Sequence, residues 1–357
     1  MKNAGACPGL ALLFASGLVF FLAGCARPSA RLVVYSAGPR PLAERICRGY
    51  SDATGMPVVL FSATTGQILS RLEAERFHPR ADVVILASRV AAEALKQGNR
   101  LRPVTLPPGE QPGHPDWHDP GGYFYGMAAA VIGVALRADH PPPPAGGWDW
   151  MDFLQGRHFS AGSGVGIGGG GEGKTVRISL PSPTRSGASG DFVMAWLLAR
   201  GEAGWSDFRQ ARRRHGLEIA GANAQALTGL LTGANQAVIG AADYVVLREV
   251  ERGEPVRIYY PKSGGVYVTR PVAVLAGARQ PDAAAAFVRY CLGEAAQREV
   301  ARVHLLPART GIPPGPLRLA AGEARVFPFD AAAALALQSV AMRRFQYEIE
   351  RAVFIDP

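Results

Sequence analysis

Three short polar segments fall where apolar, strand-like runs give way to helical spacing: Tyr35-Ser36-Ala37-Gly38, Ser62-Ala63-Thr64-Thr65-Gly66 and Ser182-Pro183-Thr184-Arg185-Ser186-Gly187-Ala188-Ser189. The second precedes a helical stripe at Ile68, Leu69 and Leu72, and the third precedes one beginning at Phe192. The first turn of a helix carries backbone N–H groups with no intrahelical acceptor, and the helix dipole favours negative charge there. Serine and threonine hydroxyls add donors without a competing negative charge. Two such starts facing each other would suit an anion. For either segment alone, ordinary N-capping explains the residue types equally well. Arg185 is placed to pair with an anion or to brace its own loop. Ala242-Asp243-Tyr244-Val245 adds a carboxylate and a phenol, suited to an amine or hydroxyl of a ligand whose acidic group rests on the Thr64 and Ser186 starts.

Two other motifs carry less. Gly168 to Thr175 reads Gly-Gly-Gly-Gly-Glu-Gly-Lys-Thr, the letters of a phosphate loop. That chemistry needs a strand before the loop and a helix opening at Lys174-Thr175. A Gly-rich stretch precedes it instead, and Val176 to Leu180 alternates like a strand after it, so a flexible inserted loop is expected. His114-Pro115-Asp116-Trp117-His118 suggests a metal site, but Pro115 disrupts the helix that would place both histidines on one face, which leaves a surface loop. None of the seven histidines has a spacing that couples it to a serine or cysteine as in nucleophilic catalysis, and no paired acid and base stands out. A binding protein is expected, not an enzyme, and no cofactor.

The elements that must position these residues alternate. Leu32 to Tyr35, Val58 to Phe61 and Asp82 to Leu86 read as buried strands, with helices at Leu42 to Tyr50, around Ile68, and at Val90 to Gln97. Strand and helix in alternation predict a parallel sheet covered by helices, an α/β fold. Arg102 to Gly122 is a Pro- and Gly-rich loop. A long apolar strand at Tyr123 to Leu136 then leads to the stiff connector Pro141 to Pro144, where the chain crosses into a second lobe. Further strands are expected at 176–180, 237–241, 256–260 and 267–275. Helices are expected at 192–199, 225–231, 283–292 and 331–351, the last with Leu335, Leu337, Val340 and Phe345 as its apolar positions.

Lys2 followed by an apolar run from Gly9 to Gly24, 16 residues, reads as a secretory signal. It falls short of the roughly 20 residues of a transmembrane helix. Leu22-Ala23-Gly24-Cys25 closes it and is similar to the lipobox of bacterial lipoproteins, in which the cysteine is acylated. Cys47 and Cys291 are then the remaining thiols in an oxidising compartment. A disulfide between them is open, and a buried apolar role in the helices around Ile46 and Phe287 is the commoner one. The formal charge of +9 becomes +8 once Lys2 leaves with the signal. That suits anionic ligands, as does any solvated Arg-rich surface, and no basic block suggests nucleic acid. The mature length exceeds what one core usually serves, so two lobes are expected.

In their order along the chain, the Leu32-to-Gly38 start, Thr65-Gly66, Ala81-Asp82-Val83-Val84, Ser182 to Gly187, Phe287 to Leu292 and Leu306-Pro307-Ala308-Arg309 resemble the periplasmic substrate-binding proteins of ABC importers, in the group of ferric-iron, phosphonate and sugar-phosphate binders. The resemblance implies a two-lobed type II periplasmic binding fold with a strand hinge: signal 1–24, lipidated tether 25–31, lobe one 32–127 and 266–312, lobe two 128–265 with a Gly-rich insertion at 160–173, and a C-terminal helical segment 313–357. It implies a small ligand held in the interlobe cleft, an importer permease as partner, a monomer, and attachment to the membrane only through Cys25. The ligand-binding set is then Ser36, Ala37, Thr64, Thr65, Gly66, Ser88, Thr184, Arg185, Ser186, Gly187, Asp243 and Tyr244. Thr184 to Gly187 most resembles the phosphonate binders, so a phosphonate, phosphorylated compound or other oxyanion is the first expectation. Iron binders of the group present adjacent tyrosines, and here Tyr244 is followed by valine. An oxygen-rich ferric site would draw on Tyr35, Asp243 and Tyr244. A sensory lipoprotein using the same fold is the remaining alternative.

Overall fold

The computed structural model describes residues 30–157 and 177–351. The signal, Cys25 with its tether up to residue 29, the Gly-rich stretch with the phosphate-loop letters, and the last six residues lie outside the described residues. Of the element alternation expected at the start of the chain, every member is present: β1 (Leu32–Ser36), α1 (Arg40–Thr54), β2 (Val58–Ser62), α2 (Thr65–Ala74), β3 (Val83–Ile85) and α3 (Arg89–Gln97). A two-residue β4 (Leu101–Arg102) follows. The Pro-rich loop then leads through single turns, one of them at Pro115–Trp117, into the 13-residue β5 (Tyr125–Arg137). His114 stacks on Trp117 and His118 on Tyr125, in keeping with a surface loop.

The middle of the chain contributes α4 (Trp150–Leu154), β6 (Ile178–Pro181), α5 (Gly187–Arg200), α6 (Glu202–Arg214), β7 (Leu217–Ala220), α7 (Asn223–Leu231), β8 (Ala237–Ala242), α8 (Asp243–Glu251) and β9 (Val256–Tyr259). The chain then runs back through β10 (Val266–Leu275), α9 (Pro281–Leu292), α10 (Glu294–Arg302), β11 (Leu306–Pro307), α11 (Pro316–Ala320) and α12 (Ala331–Phe345), the last continuing into a wider π-helical turn at Gln346–Glu350.

The described strands form one mixed sheet in the order β2-β1-β3-β10-β5-β8-β6-β7. β1 pairs in parallel with β2 and β3 at one end, and β6 pairs in parallel with β7 and β8 at the other. Between them β5 and β10 run antiparallel, from Val266 opposite Ile132 to Val272 opposite Tyr125. β5 changes partners along its length: β11 pairs at Ala128 and Ala129, whereas β8 and β9 pair from Ile132 onward. This change of partners falls inside β5, before the proline connector at 141–144. β5 and β8 are buried at every position but Arg137, as strands covered on both faces must be, which is why they read as unbroken apolar runs.

Separate cores mark the two lobes. One gathers Leu32, Ile46, Val272, Phe287 and Val300, with a smaller cluster around Tyr35, Ile68 and Leu95 on the other face of that part of the sheet. The other gathers Ile178, Phe192, Trp150, Phe208 and Val246. Phe327, Ala331, Ala334, Ala341 and Phe345 join this second core, while α12 itself lies against both α3 and α5. The buried face of α12 corrects the expected one: Leu337 and Val340 stand more than half exposed, and small alanines take the contact positions because α12 lies close against α3 and α5. Cys47 and Cys291 are free thiols buried in the first core. Burial pushes the Cys47 thiol up to about 12 and raises Cys291 as well, which keeps both in the unreactive neutral form.

Candidate functional site

A cleft of about 310 Å³ opens where the ends of both sets of parallel strands meet. In open α/β sheets the loops beyond the strand ends are where ligands bind, because helices begin there with their amides free. Residues from the starts of α1, α2, α5, α7 and α8 all line this cleft. None of α1, α2, α5 and α7 has an acidic residue in its first turn.

The caps fix each start. At α2 the Thr64 hydroxyl accepts from Gln67 N at 3.3 Å while Gln67 Oε1 accepts from Thr64 N at 3.0 Å, a reciprocal capping box. Thr65 Oγ1 accepts from Ala87 N at 3.2 Å, tying α2 to the turn before α3. At α5 the Ser186 hydroxyl accepts from Ser189 N at 3.3 Å and from Asn223 Nδ2 at 2.8 Å, and Asn223 Oδ1 accepts from Ala242 N at 3.0 Å. One asparagine therefore braces the starts of α5, α7 and α8 together.

The two lobes touch along this line. A Cβ on Gly187 would stand 2.8 Å from both Ala87 O and Thr65 Oγ1, so only glycine lets α5 begin against lobe one. A Cβ on Gly66 would lie 3.0 Å from Thr184 O. Beside them Asp191 of α5 is buried and caps α3 across the junction: Ser88 Oγ donates to Oδ1 at 2.6 Å and Arg89 N donates to Oδ2 at 3.1 Å. Burial pushes the Asp191 carboxyl up to about 7, against the pull of these donors and of Arg89.

Four arginines and no acidic residue line the cleft among the described residues. Arg40 and Arg248 are paired with Glu44 and Glu249. Arg185 is exposed and forms no salt bridge among the described residues. Arg270 differs from all three. It is only 3% exposed, its guanidinium carbon lies 4.8 Å from the Tyr244 ring centroid, and Nη1 donates a long 3.3 Å bond to Ala37 O. Its Nε has no acceptor among the described residues, and no carboxylate pairs with it. A buried cation without a counter-charge is costly, by several kcal/mol in order of magnitude, unless something else brings the charge. The register of β10 against β5 shifts between Thr269 and Pro271, at Arg270 itself. Such irregularities re-aim a side chain.

The expected residues are distributed unevenly. Ala37, Thr64, Thr65, Arg185, Ser186, Gly187 and Tyr244 line the cleft. Gly66, Ser88 and Thr184 stand at its seam with hydroxyls or backbone engaged between elements: Thr184 Oγ1 sits 2.9 Å from Ser182 Oγ and 3.3 Å from Glu350 Oε2. Ser36 is buried, its hydroxyl accepting from Gly38 N at 3.2 Å. Asp243 does not face the cleft. Its fully buried carboxylate accepts at Oδ2 from Val131 N at 3.0 Å, Tyr260 Oη at 3.0 Å and Arg318 Nη1 at 2.6 Å and at Oδ1 from Tyr244 N at 2.7 Å, so it is engaged away from the cleft. Tyr35 likewise points into a core and donates to Glu75 at 2.8 Å. Of the three oxygen donors considered for iron, Tyr244 alone lines the cleft. Among the described residues, no group of three or more His, Cys, Asp or Glu side chains gathers as a metal site.

Sequence reasoning missed Arg270, Asn223 and Asp191. The signal for Arg270 was present: it is the single charge between Lys262 and Arg279, set in a run that otherwise reads as a buried strand. Asn223 and Asp191 leave no such mark, because their partners lie 19 and 103 residues away.

Comparison with solved structures places the chain beside periplasmic binding proteins. The periplasmic binding protein AfuA from Actinobacillus pleuropneumoniae, solved with fructose-6-phosphate bound, aligns with a TM-score of 0.77 at 17% identity over 90% of this chain and 99% of its own. The apo ferric ion-binding protein A of Pasteurella haemolytica aligns at 0.76 with 14% identity, over 91% and 99%. The ferric binding protein from Campylobacter jejuni aligns at 0.75 with 15% identity, over 89% and 99%. At these identities the likeness speaks for the two-lobed fold. Comparison with curated proteins gives no match. Residues 32–303 match the family described as bacterial extracellular solute-binding protein, and that match spans most of the sequence. The chain belongs to the bacterial extracellular solute-binding protein family.

Proposed function

We propose that this protein captures a small oxyanion, such as a phosphonate, a phosphorylated compound or another oxyanion, in the cleft between its lobes and delivers it to the permease of an ABC importer. Arg270 carries the reading: a buried guanidinium on a hinge strand, with no carboxylate partner and no acid in the cleft lining among the described residues, beside several helix starts. An oxyanion supplies the missing counter-charge and accepts from Arg270 and the free amides of α2 and α5. Among proteins of this fold, AfuA is seen with fructose-6-phosphate bound, so the fold can hold a ligand of this class. A ferric ion would need anionic oxygens, and the two carboxylate or phenol groups that could join Tyr244 are held by Arg318 and Glu75.

In this reading the mature chain is a monomer tethered by a lipid on Cys25, and it binds its solute without transforming it. Native mass spectrometry with elemental analysis, on protein purified without chelator, tests it. A one-to-one adduct containing phosphorus or an oxyanion-forming element supports the reading, and one bound iron without such an element contradicts it. Loss of the lipid mass in Cys25→Ser tests the anchor.

A further inference from the structure

A second cavity, of about 580 Å³, lies behind the hinge strands. Tyr267 lines it, whereas Arg270 lines the oxyanion cleft. The two side chains thus line different cavities from one strand. No residue lines both cavities. Its volume falls within the range of small-molecule sites, about 300–1,000 Å³.

Its walls are mixed in a way that specifies an occupant. Trp117, Tyr267 and Leu319 supply flat and apolar surface, and Leu319 is 62% exposed. At the base, Arg318 is 4% exposed. It donates through Nη1 to Asp243 at 2.6 Å and through Nε to His304 O at 2.6 Å. Its Nη2 is buried with no acceptor among the described residues. Burial works against the Arg318 charge, but the Asp243 carboxylate more than offsets it and holds the guanidinium protonated. Arg309, exposed on the same wall, forms no salt bridge among the described residues. An unfilled donor next to apolar surface calls for an oxygen acceptor on an apolar body. Glu323, also on the wall, opposes a second acidic group by like-charge repulsion.

From these observations we infer that the cavity behind the hinge is a second ligand site, for a small aromatic monocarboxylate whose acid group meets Arg309 and Arg318 and whose ring lies against Trp117, Tyr267 and Leu319. The site is independent of what the front cleft binds.

Calorimetric titration of the full mature protein with 2-naphthoate tests this. One molecule should bind per chain, with affinity unchanged by saturating phosphate or by Arg270→Met. It should weaken about tenfold in Arg309→Glu, the scale expected for reversing one charge contact. Leu319→Glu should weaken it too, and because both side chains are exposed, neither change threatens the fold. Absence of binding overturns the inference, as does competition by phosphate, which would put the probe in the front cleft. Equal affinity in both variants also overturns it. Since phosphate and 2-naphthoate are titrated separately, failure here leaves the oxyanion reading to stand or fall by its own measurement.

Discussion

The Arg270 guanidinium carbon lies 4.8 Å from the Tyr244 ring centroid, and among the described residues no carboxylate forms a salt bridge with Arg270. The ring stabilises the cation on one side but carries no full negative charge, so the pair holds the guanidinium in place without neutralising it. A buried guanidinium of this kind carries a desolvation cost that the proposed oxyanion would offset. If the proposed oxyanion is the ligand, selectivity for it resides at Arg270 on β10.

That cost is measurable in the unliganded protein. Replacing Arg270 by methionine removes a buried, unpaired charge and retains apolar volume, so the ligand-free melting temperature should hold or rise. Thermal denaturation in anion-free buffer checks it. A clear fall in melting temperature would mean that Arg270 supports the fold, not the ligand.

Gly187→Ala addresses closure. The added methyl would meet Ala87 O and Thr65 Oγ1 at 2.8 Å, so the lobes must part to accommodate it. The closed population should shrink and the apparent affinity for oxyanion fall in proportion, about tenfold for a comparable shift in population. Small-angle scattering should report a larger radius of gyration while far-ultraviolet circular dichroism stays unchanged. An unaltered radius would contradict this role.

Asp191 makes stability depend on pH with a definite sign. Its carboxyl sits at about 7 in the folded protein against an ordinary value of 3.8, so the folded state holds the proton more tightly. The contribution is fully present below about pH 4 and is lost as pH rises through 7. In urea titrations the wild type should lose stability relative to Asp191→Asn between pH 4.5 and about 7.5. A difference between the two proteins that does not change with pH would rule the effect out.

The ion pair of Asp243 with Arg318 is fully buried and joins α8 to α11 behind the hinge. Removing one partner strands the other charge. Arg318→Met should therefore cost about 3–5 kcal/mol in chemical denaturation. Tyr260 shares the carboxylate, and burial together with that negative charge raises its phenol well above its ordinary range. Alkaline difference spectroscopy should leave Tyr260 un-ionised until the protein unfolds. A loss under about 1 kcal/mol in Arg318→Met would mean that the pair is solvated, not buried.

The β-α alternation from Leu32 to Gln97 was legible because each element has its own periodicity and needs no distant partner to be recognised. The helix starts at Thr64 and Ser186 were legible for the same reason, as capping chemistry is local. The position of α6 was not: Glu202-Ala203-Gly204-Trp205 reads polar and glycine-bearing, and Trp205 and Phe208 are buried only because α5 and the C-terminal turn close over them. Asp243 misled for a physical reason. A carboxylate after a strand looks like a ligand group until Arg318, 75 residues on, is seen to consume it. Arg270 could have been noticed as a charge in a buried strand, yet only the fold reveals that no carboxylate pairs with it among the described residues.

The central claim is tested most directly by calorimetric titration of the mature protein with inorganic phosphate, methylphosphonate, a hexose phosphate and ferric citrate, each against wild type and Arg270→Met. At least one phosphorus oxyanion should bind one-to-one, and affinity should drop at least about 30-fold in the variant, as loss of one partner from a buried charge contact implies. Ferric binding of equal strength in both proteins, with no oxyanion bound by either, would contradict the account.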